Sequence, residues 1–278
     1  MKVNIKLFSV VLFCVLLCGC TRTGIIEEQN TSSVITTNSL TSGQQDDKVL
    51  SVPQLKNDAM PVYHQQWGKL TSESSSDMVA VVSDNINNSS LETDVYIVAE
   101  IDNNFITHNL GKWEYKSFKN GSLSVADLDN DGIDEITLFM EVTGNGGTIA
   151  QIFKVINKSI TLVYDLNEYD LNLNTKYKNG YVMLIENKSV GFSYEVDISQ
   201  EFAPNFFNKS GKATSNTEIF VLPINCLAVE STDNVNTKKI YCEYGIKLTN
   251  YLGYMQTEFQ YDAETDFLEI KSIKFIGN

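Results

Sequence analysis

The sequence is poor in histidine and in recognisable catalytic motifs. His64 and His108 are the only imidazole groups, and neither stands beside a nucleophile pattern. The chain also lacks the Gly-x-Ser-x-Gly elbow, the His-Glu-x-x-His zinc pair, the phosphate-binding glycine loop and the Cys-x-x-Cys pair. Paired carboxylates are the one catalytic arrangement left open, because their spacing is spatial and is not visible in a sequence.

Positive charge is scarce beside negative charge. The 278 residues include 21 lysines and arginines against 35 aspartates and glutamates, which gives a formal net charge of −14. An acidic surface repels phosphate backbones, so the composition argues against nucleic acid as a partner. The same surface concentrates divalent cations, although an acidic composition also serves simple solubility.

Long apolar runs are lacking outside the N-terminus. There, an apolar run of residues 7–17 follows two lysines and is too short for a stable membrane span. Residues 1–19 are therefore predicted to form a secretory signal peptide. The segment ends in Leu17-Cys18-Gly19-Cys20, which resembles a bacterial lipobox. The resemblance implies that Cys20 carries lipid and anchors the protein outside the cytoplasm, at the bacterial cell membrane or envelope.

The rest of the chain divides into a polar segment and a body with strand-like runs. Residues 20–60 are rich in Thr, Ser, Asn and Gln and show no sustained hydrophobic period, so we expect a flexible tether. Residues 61–278 contain short runs of β-branched and aromatic residues, between Met78 and Ile276, divided by Asn, Gly, Asp and Ser. Because helical periodicity is hard to find, this pattern predicts an all-β body with little helix.

The most informative stretch runs from Asp127 to Glu135, directly before strand-like residues. Acidic side chains alternate along it, and Gly132 permits a sharp turn because glycine tolerates a positive φ. Ca²⁺ takes about six to eight oxygen ligands, which alternate residues of a coiled loop can supply. The predicted ligands are the side chains of Asp127, Asp129, Asp131 and Glu135 and the carbonyl of Ile133.

This loop differs from an EF-hand. Its twelfth position is Leu138, where the EF-hand requires a bidentate glutamate, and the residues that follow are strand-like. Asp134, at the eighth position, is expected to point to solvent. The alternative interpretation is an Asp- and Asn-rich surface turn without an ion. In that case the crowded carboxylates would repel one another at a cost in stability.

Residues 125–136, Val-Ala-Asp-Leu-Asp-Asn-Asp-Gly-Ile-Asp-Glu-Ile, resemble the FG-GAP/VCBS repeat, the calcium-loop repeat of integrin-type β-propellers. The resemblance covers residues 120–156 as a single unit. It departs from the repeat at Glu135, where aspartate is common. It implies bound Ca²⁺ and antiparallel sheets like propeller blades, in an incomplete propeller or a β-sandwich. The body is too short for a closed seven-blade ring of this repeat.

A weaker copy of the same unit can be aligned earlier in the chain. Residues 68–80 align with residues 126–138, which places Lys69, Thr71 and Glu73 at the positions of the three aspartates. A lysine at the first ligand position argues against a second ion. Chance similarity in a serine-rich stretch is the alternative, and the sequence favours neither interpretation.

Cys226 and Cys242 lie in two strand-like runs that are joined by a turn-rich segment. A hairpin centred on Asn234 would place the two cysteines opposite each other. In an exported protein this arrangement favours a disulfide bond, which typically contributes about 2–4 kcal/mol to stability. Two buried thiols are the alternative.

Two functional interpretations follow. In the first, the chain is a lipid-anchored cell-envelope protein whose structural Ca²⁺ fixes a β repeat that binds a surface protein or wall component, without enzymatic activity. In the second, it is a hydrolase of envelope polysaccharide or peptide that uses two carboxylates as acid and base. A structural envelope protein without a small-molecule ligand is a third, simpler reading.

Overall fold

The computed structural model describes residues 49–52, 60–84, 92–114, 121–141, 148–198, 206–214, 219–231, 238–248, 251–262 and 267–277. All of them belong to one compact unit that extends from Gln45 to Asn278. The predicted signal peptide and the predicted lipidation site, Cys20, lie outside these residues.

Sixteen strands in the described ranges form four antiparallel sheets, in each of which consecutive strands are neighbours. Sheet I consists of β1 Val49–Leu50, β2 Met60–Gly68, β3 Asp77–Ser83, β4 Glu92–Ile101 and β5 Asn104–Glu114. Sheet II consists of β6 Ser122–Ala126, β7 Glu135–Glu141, β8 Thr148–Ile156 and β9 Ser159–Asp165. Sheet III consists of β10 Asn174–Lys178, β11 Val182–Asn187 and β12 Phe192–Asp197. Sheet IV consists of β13 Phe220–Ser231, β14 Lys238–Lys247, β15 Tyr251–Asp262 and β16 Phe267–Gly277.

The predicted fold class is confirmed: the chain is almost entirely β, and none of the four antiparallel sheets closes on itself. Such open meanders are compatible with propeller-like blades and with a sandwich. Within the described residues, no helix is long and apolar enough to cross a membrane.

Two-residue turns set the register of two of the hairpins. Asp102 and Asn103 join β4 to β5, and Asn157 and Lys158 join β8 to β9; all four have a positive φ. This backbone twist matches the right-handed twist of the flanking strands, and Asn and Asp adopt it more readily than most residues. Asp102, Asn103 and Asn157 thus favour the positions of these two turns.

Sheet II lies between two hydrophobic clusters, so its central strand β7 is buried on both faces. Alternate side chains of a strand point to opposite faces. Ile136, Leu138 and Met140 therefore join the cluster shared with sheet I, while Phe139 joins the cluster shared with sheets III and IV. Glu135, the first residue of β7, enters this buried environment as a charged group.

The folded part begins earlier than the sequence indicates. β1 pairs with β2, with Leu50 opposite Met60, and Val52 is 1% exposed. These contacts fall inside residues 20–60, the predicted tether, so the tether boundary at residue 60 is too late. A short apolar group, residues 49–52, is sufficient to add an edge strand.

The structure corrects the predicted register of the β13–β14 hairpin. Cys226 lies opposite Glu243, and Cys242 lies opposite Leu227, so the two cysteines do not face each other directly. They form no disulfide bond with each other; Cys226 is half-buried and Cys242 is buried. The predicted hairpin centre was displaced because the last pair of this ladder is Ser231 with Lys238, which gives the loop an even number of residues.

Candidate metal centre

The acidic loop connects β6 to β7, two adjacent antiparallel strands. Ala126 pairs with Glu135 at the end of this ladder, which brings the two ends of the loop together. Asn130 and Gly132 have φ values of 63° and 87°, and these left-handed residues coil the backbone into a tight turn. The ladder and the two left-handed residues thus bring Asp127, Asp129 and Glu135 close together.

Three of the predicted ligands converge. Asp127, Asp129 and Glu135 each offer a carboxylate oxygen, and these three atoms all lie within 4.8 Å of one another. Asp131 is exposed and does not belong to this group; its Oδ1 instead accepts a hydrogen bond from the backbone N–H of Ile133, at 2.7 Å. The structure therefore brings together positions 1, 3 and 9 of the loop.

Backbone donors hold one oxygen of each converging carboxylate. The Leu128 N–H donates to Glu135 Oε2 at 2.7 Å, and the Gly132 N–H donates to Asp127 Oδ2 at 3.1 Å. The Asp131 N–H donates to Asp129 Oδ1, also at 3.1 Å. Each carboxylate is thus oriented by the loop itself through one oxygen, and its second oxygen faces partners other than the loop backbone.

Two of those second oxygens are buried and lack a hydrogen-bond partner: Asp127 Oδ1 and Glu135 Oε1. A buried carboxylate oxygen without a partner is costly, because burial removes the water that would otherwise solvate its charge. Glu135 is only 2% exposed. Burial is the main reason that its pKa is raised to about 7, against the lowering effect of the Leu128 N–H.

The ammonium group of a lysine side chain lies beside these carboxylates. Lys154 on β8 forms ion pairs with Asp129 Oδ2 and with Glu135 Oε1, the latter at 3.4 Å. Burial lowers the pKa of Lys154, but the two carboxylates outweigh it and raise the pKa to about 12. Lys154 was not among the residues predicted for this site. In the sequence it stands out as the one charged residue of β8, the strand that pairs with β7.

Asp134 is partly exposed, and its side chain also bonds to a neighbouring loop, which was not predicted. Its Oδ2 accepts the backbone N–H of Lys69 at 2.7 Å, and its own N–H donates to the Lys69 carbonyl at 2.9 Å. This reciprocal pair joins the acidic loop to the loop that connects β2 to β3. The neighbouring Gly68 fits closely, since a Cβ there would lie 2.2 Å from Val125 Cγ1.

The β2–β3 loop repeats part of the geometry of the acidic loop. The Leu70 N–H donates to Asp77 Oδ2 at 3.1 Å, as the Leu128 N–H does to Glu135 Oε2. Leu70, like Leu128, is buried. These contacts follow the alignment of residues 68–80 with residues 126–138. The earlier loop has Lys69 at the first ligand position, and it does not reproduce the carboxylate triad.

A shallow cavity of about 260 Å³ lies beside the acidic loop. It is lined by Val125, Ala126, Asp127, Asp134 and Lys238. The Asp134 carboxylate accepts a hydrogen bond from the Lys69 N–H, and the Asp127 carboxylate accepts one from the Gly132 N–H. The cavity therefore presents one lysine and two carboxylates that are already engaged by the backbone.

Comparisons with known proteins identify no family. No protein-family model and no curated protein matches the chain. Among solved structures, the chain is similar to one titled "Structure of MPT-1, a GDP-Man-dependent mannosyltransferase from Leishmania mexicana". The two are 12% identical over 78% of this chain and 69% of that chain, with a TM-score of 0.23. At this TM-score the likeness carries no argument about fold or activity.

Proposed function

We propose that the protein is a lipid-anchored component of a bacterial cell envelope whose β6–β7 loop binds Ca²⁺ and thereby stabilises a non-enzymatic binding module. The lipid would be carried by Cys20, at the end of the lipobox-like segment. The module would display its sheets outside the membrane to a surface protein or a wall component. The FG-GAP/VCBS-like pattern of the loop supports the choice of a structural ion.

The observation that carries this proposal is that the buried Asp127 Oδ1 has no hydrogen-bond partner, while the buried Glu135 Oε1 has no hydrogen bond and only the ion pair with Lys154 at 3.4 Å. They belong to a group of carboxylates that backbone N–H groups orient towards a common point within a loop. A divalent cation at that point would supply a partner to Asp127 Oδ1 and a closer one to Glu135 Oε1. It would also offset the mutual repulsion of the three acids.

The donor set favours Ca²⁺ over other common metal ions. All of the converging ligands are carboxylate oxygens, whereas Zn²⁺ sites usually include histidine or cysteine. Mg²⁺ demands a small octahedral shell and retains several waters, while Ca²⁺ accepts irregular oxygen cages of mixed origin. Asp131 and the Ile133 carbonyl are the further ligands that the loop offers, provided that the Asp131 carboxylate turns inwards.

The position of the loop supports a structural role for the ion. Asp134 links the loop to sheet I through Lys69, and Glu135 begins the central strand of sheet II. Lys154 lies over the ring of Tyr261 in sheet IV, 5.3 Å from its centre. An ion in the loop would therefore stabilise a point at which three sheets meet.

Calorimetric titration with CaCl₂ tests the proposed ion directly. We expect one site with a dissociation constant of about 10⁻⁴–10⁻³ M, the range of extracellular calcium modules. MgCl₂ at the same concentrations is the control and should bind more weakly. No calcium binding up to about 10 mM, some ten times the weak end of that range, would contradict the proposal.

The binding role has its own test. The exported protein would be used to capture partners from envelope extract, with calcium and with a chelator, in the parent and in Asp127→Asn. A partner retained by the parent only in calcium supports the module. Equal recovery under all four conditions would show that the ion does not support binding.

Within the described residues, the site geometry does not support the hydrolase alternative. The cavity beside the loop contains Asp127 and Asp134, and the backbone holds both of them in place. His108 does not serve such a site: its Nδ1 is 3.0 Å from the Ile160 carbonyl, and its ring packs on Phe153. We therefore favour the non-enzymatic module.

A further inference from the structure

Lys154 contacts the oxygens of Asp129 and Glu135 that accept no hydrogen bond from the loop backbone. Its ammonium pairs with Asp129 Oδ2 and lies 3.4 Å from Glu135 Oε1. The remaining oxygens of these two carboxylates are bound to backbone N–H groups of the loop. A calcium ion must approach its ligands to about 2.3–2.6 Å. An ion bound to both free oxygens would thus occupy the space that the ammonium holds.

The two cations also repel each other. The site lies in a poorly solvated environment, since the side chains of Lys154, Asp129 and Glu135 are 20%, 7% and 2% exposed. In such surroundings charges separated by a few ångströms interact far more strongly than they do in water. The protein can therefore hold either the ammonium or the divalent ion between Asp129 and Glu135, but not both.

From this geometry we propose that Lys154 is an internal competitor for the calcium site, and that binding of Ca²⁺ expels its ammonium from the carboxylate group. The proposal rests on the calcium site described above and adds its regulation. Lys154 offsets part of the negative charge of the loop when calcium is scarce. The ion must displace it, and this requirement weakens the affinity into the range where extracellular calcium varies.

The aromatic ring of Tyr261 offers the displaced ammonium a second favourable contact. The ring of Tyr261, on β15 of sheet IV, already lies 5.3 Å from Lys154 Nζ. A cation over the face of an aromatic ring is attracted by the electron-rich π system. Release from the carboxylates would shift Lys154 towards this ring or towards solvent. Calcium binding in sheet II would thereby alter a contact with sheet IV.

The test compares calcium affinity in three single variants of the full chain by calorimetry with CaCl₂. Lys154→Met keeps the aliphatic stem and removes the charge, so its dissociation constant should fall by about tenfold relative to the parent. Lys154→Arg keeps the charge and should bind about as weakly as the parent. Lys176→Met is the matched control, because it removes one exposed lysine, paired with Glu186 in sheet III.

Melting temperature provides a second test in case Lys154→Met is less stable than the parent. The melting temperature of Lys154→Met in a chelator should fall below that of the parent, because its acids lose their cation, and saturating calcium should restore it. Unchanged or weaker calcium affinity in a folded Lys154→Met would overturn the competition. Binding in Lys154→Met but not in the parent would support the competition while contradicting the proposed calcium role of the parent. Absence of binding in both would overturn the competition and the calcium site together.

Discussion

Asp77 and Glu135 occupy corresponding places in two successive sheets. Each is the first residue of a buried strand, and each accepts a hydrogen bond from the backbone N–H of the leucine seven residues before it. Both are almost fully buried, at 6% and 2% exposure. In both loops, the same hydrogen bond from a leucine N–H fixes the carboxylate at the start of the next strand. The second loop also contains the carboxylate triad.

Asp77→Ala should destabilise the protein without affecting calcium binding. The Asp77 carboxylate accepts hydrogen bonds from the Leu70 N–H and the Thr71 hydroxyl, both at 3.1 Å. Leaving a buried donor unpaired typically costs about 1–3 kcal/mol. Urea denaturation would measure the loss, with Asp197→Ala, an exposed position at the end of β12, as control. Equal stability of the two variants would refute the shared role of Asp77 and Glu135.

Asp129→Ala combined with Asp131→Ala should abolish the stabilisation of the protein by calcium. In the parent, calcium at ten times its dissociation constant contributes about 1.4 kcal/mol by mass action. For a domain of this size, that corresponds to a rise in melting temperature of about 3 °C. The double variant should melt at the same temperature in calcium and in chelator. An equal rise in variant and parent would contradict the assignment of these ligands.

Gly68→Ala should weaken the contact between the two loops. An added Cβ would lie 2.2 Å from Val125 Cγ1 and 2.8 Å from Asp134 Oδ2. The resulting overlap typically costs about 1–3 kcal/mol. The free energy of unfolding of Gly68→Ala would be compared with that of Gly277→Ala, whose Cβ would meet only Phe275 at 3.6 Å. If the two variants are equally stable, the loops do not depend on this close approach.

Cys20→Ser should release the protein from the membrane. The lipobox-like segment predicts acylation of Cys20, and multiple acyl chains give a durable anchor. After fractionation of cells, the parent is expected with the membranes and the variant in the soluble exported fraction. The neighbouring Cys18→Ser is the matched control and should remain attached. Firm attachment of the Cys20 variant would disprove the anchor.

The strand pattern was largely visible in the sequence, because β-branched and aromatic runs alternate with turn residues. Four strands, β1, β2, β6 and β10, were not predicted, and β1 has only two residues. β2, β6 and β10 carry many polar residues, such as the Gln65-Gln66 pair and the repeated lysines of Asn174–Lys178. Pairing with a buried neighbour, and not their own hydrophobicity, makes them strands.

The candidate site was predicted in part. Spacing along the loop identified Asp127, Asp129 and Glu135, because local coiling alone brings alternate residues together. It did not reveal that Asp134 bonds to Lys69 or that Lys154 enters the group, since both contacts join segments that are distant in sequence. Contacts within the loop could therefore be predicted from the sequence. Contacts made by strand pairing and sheet packing, which join distant segments, could not.

The calcium site itself is tested most directly by crystals of the protein grown with and without CaCl₂. Anomalous scattering should reveal a single ion bound to Asp127, Asp129 and Glu135 at about 2.3–2.6 Å, with the Lys154 ammonium moved away from both of its carboxylate partners. Crystals saturated with calcium that lack this ion, and in which Lys154 still bridges Asp129 and Glu135, would contradict the account.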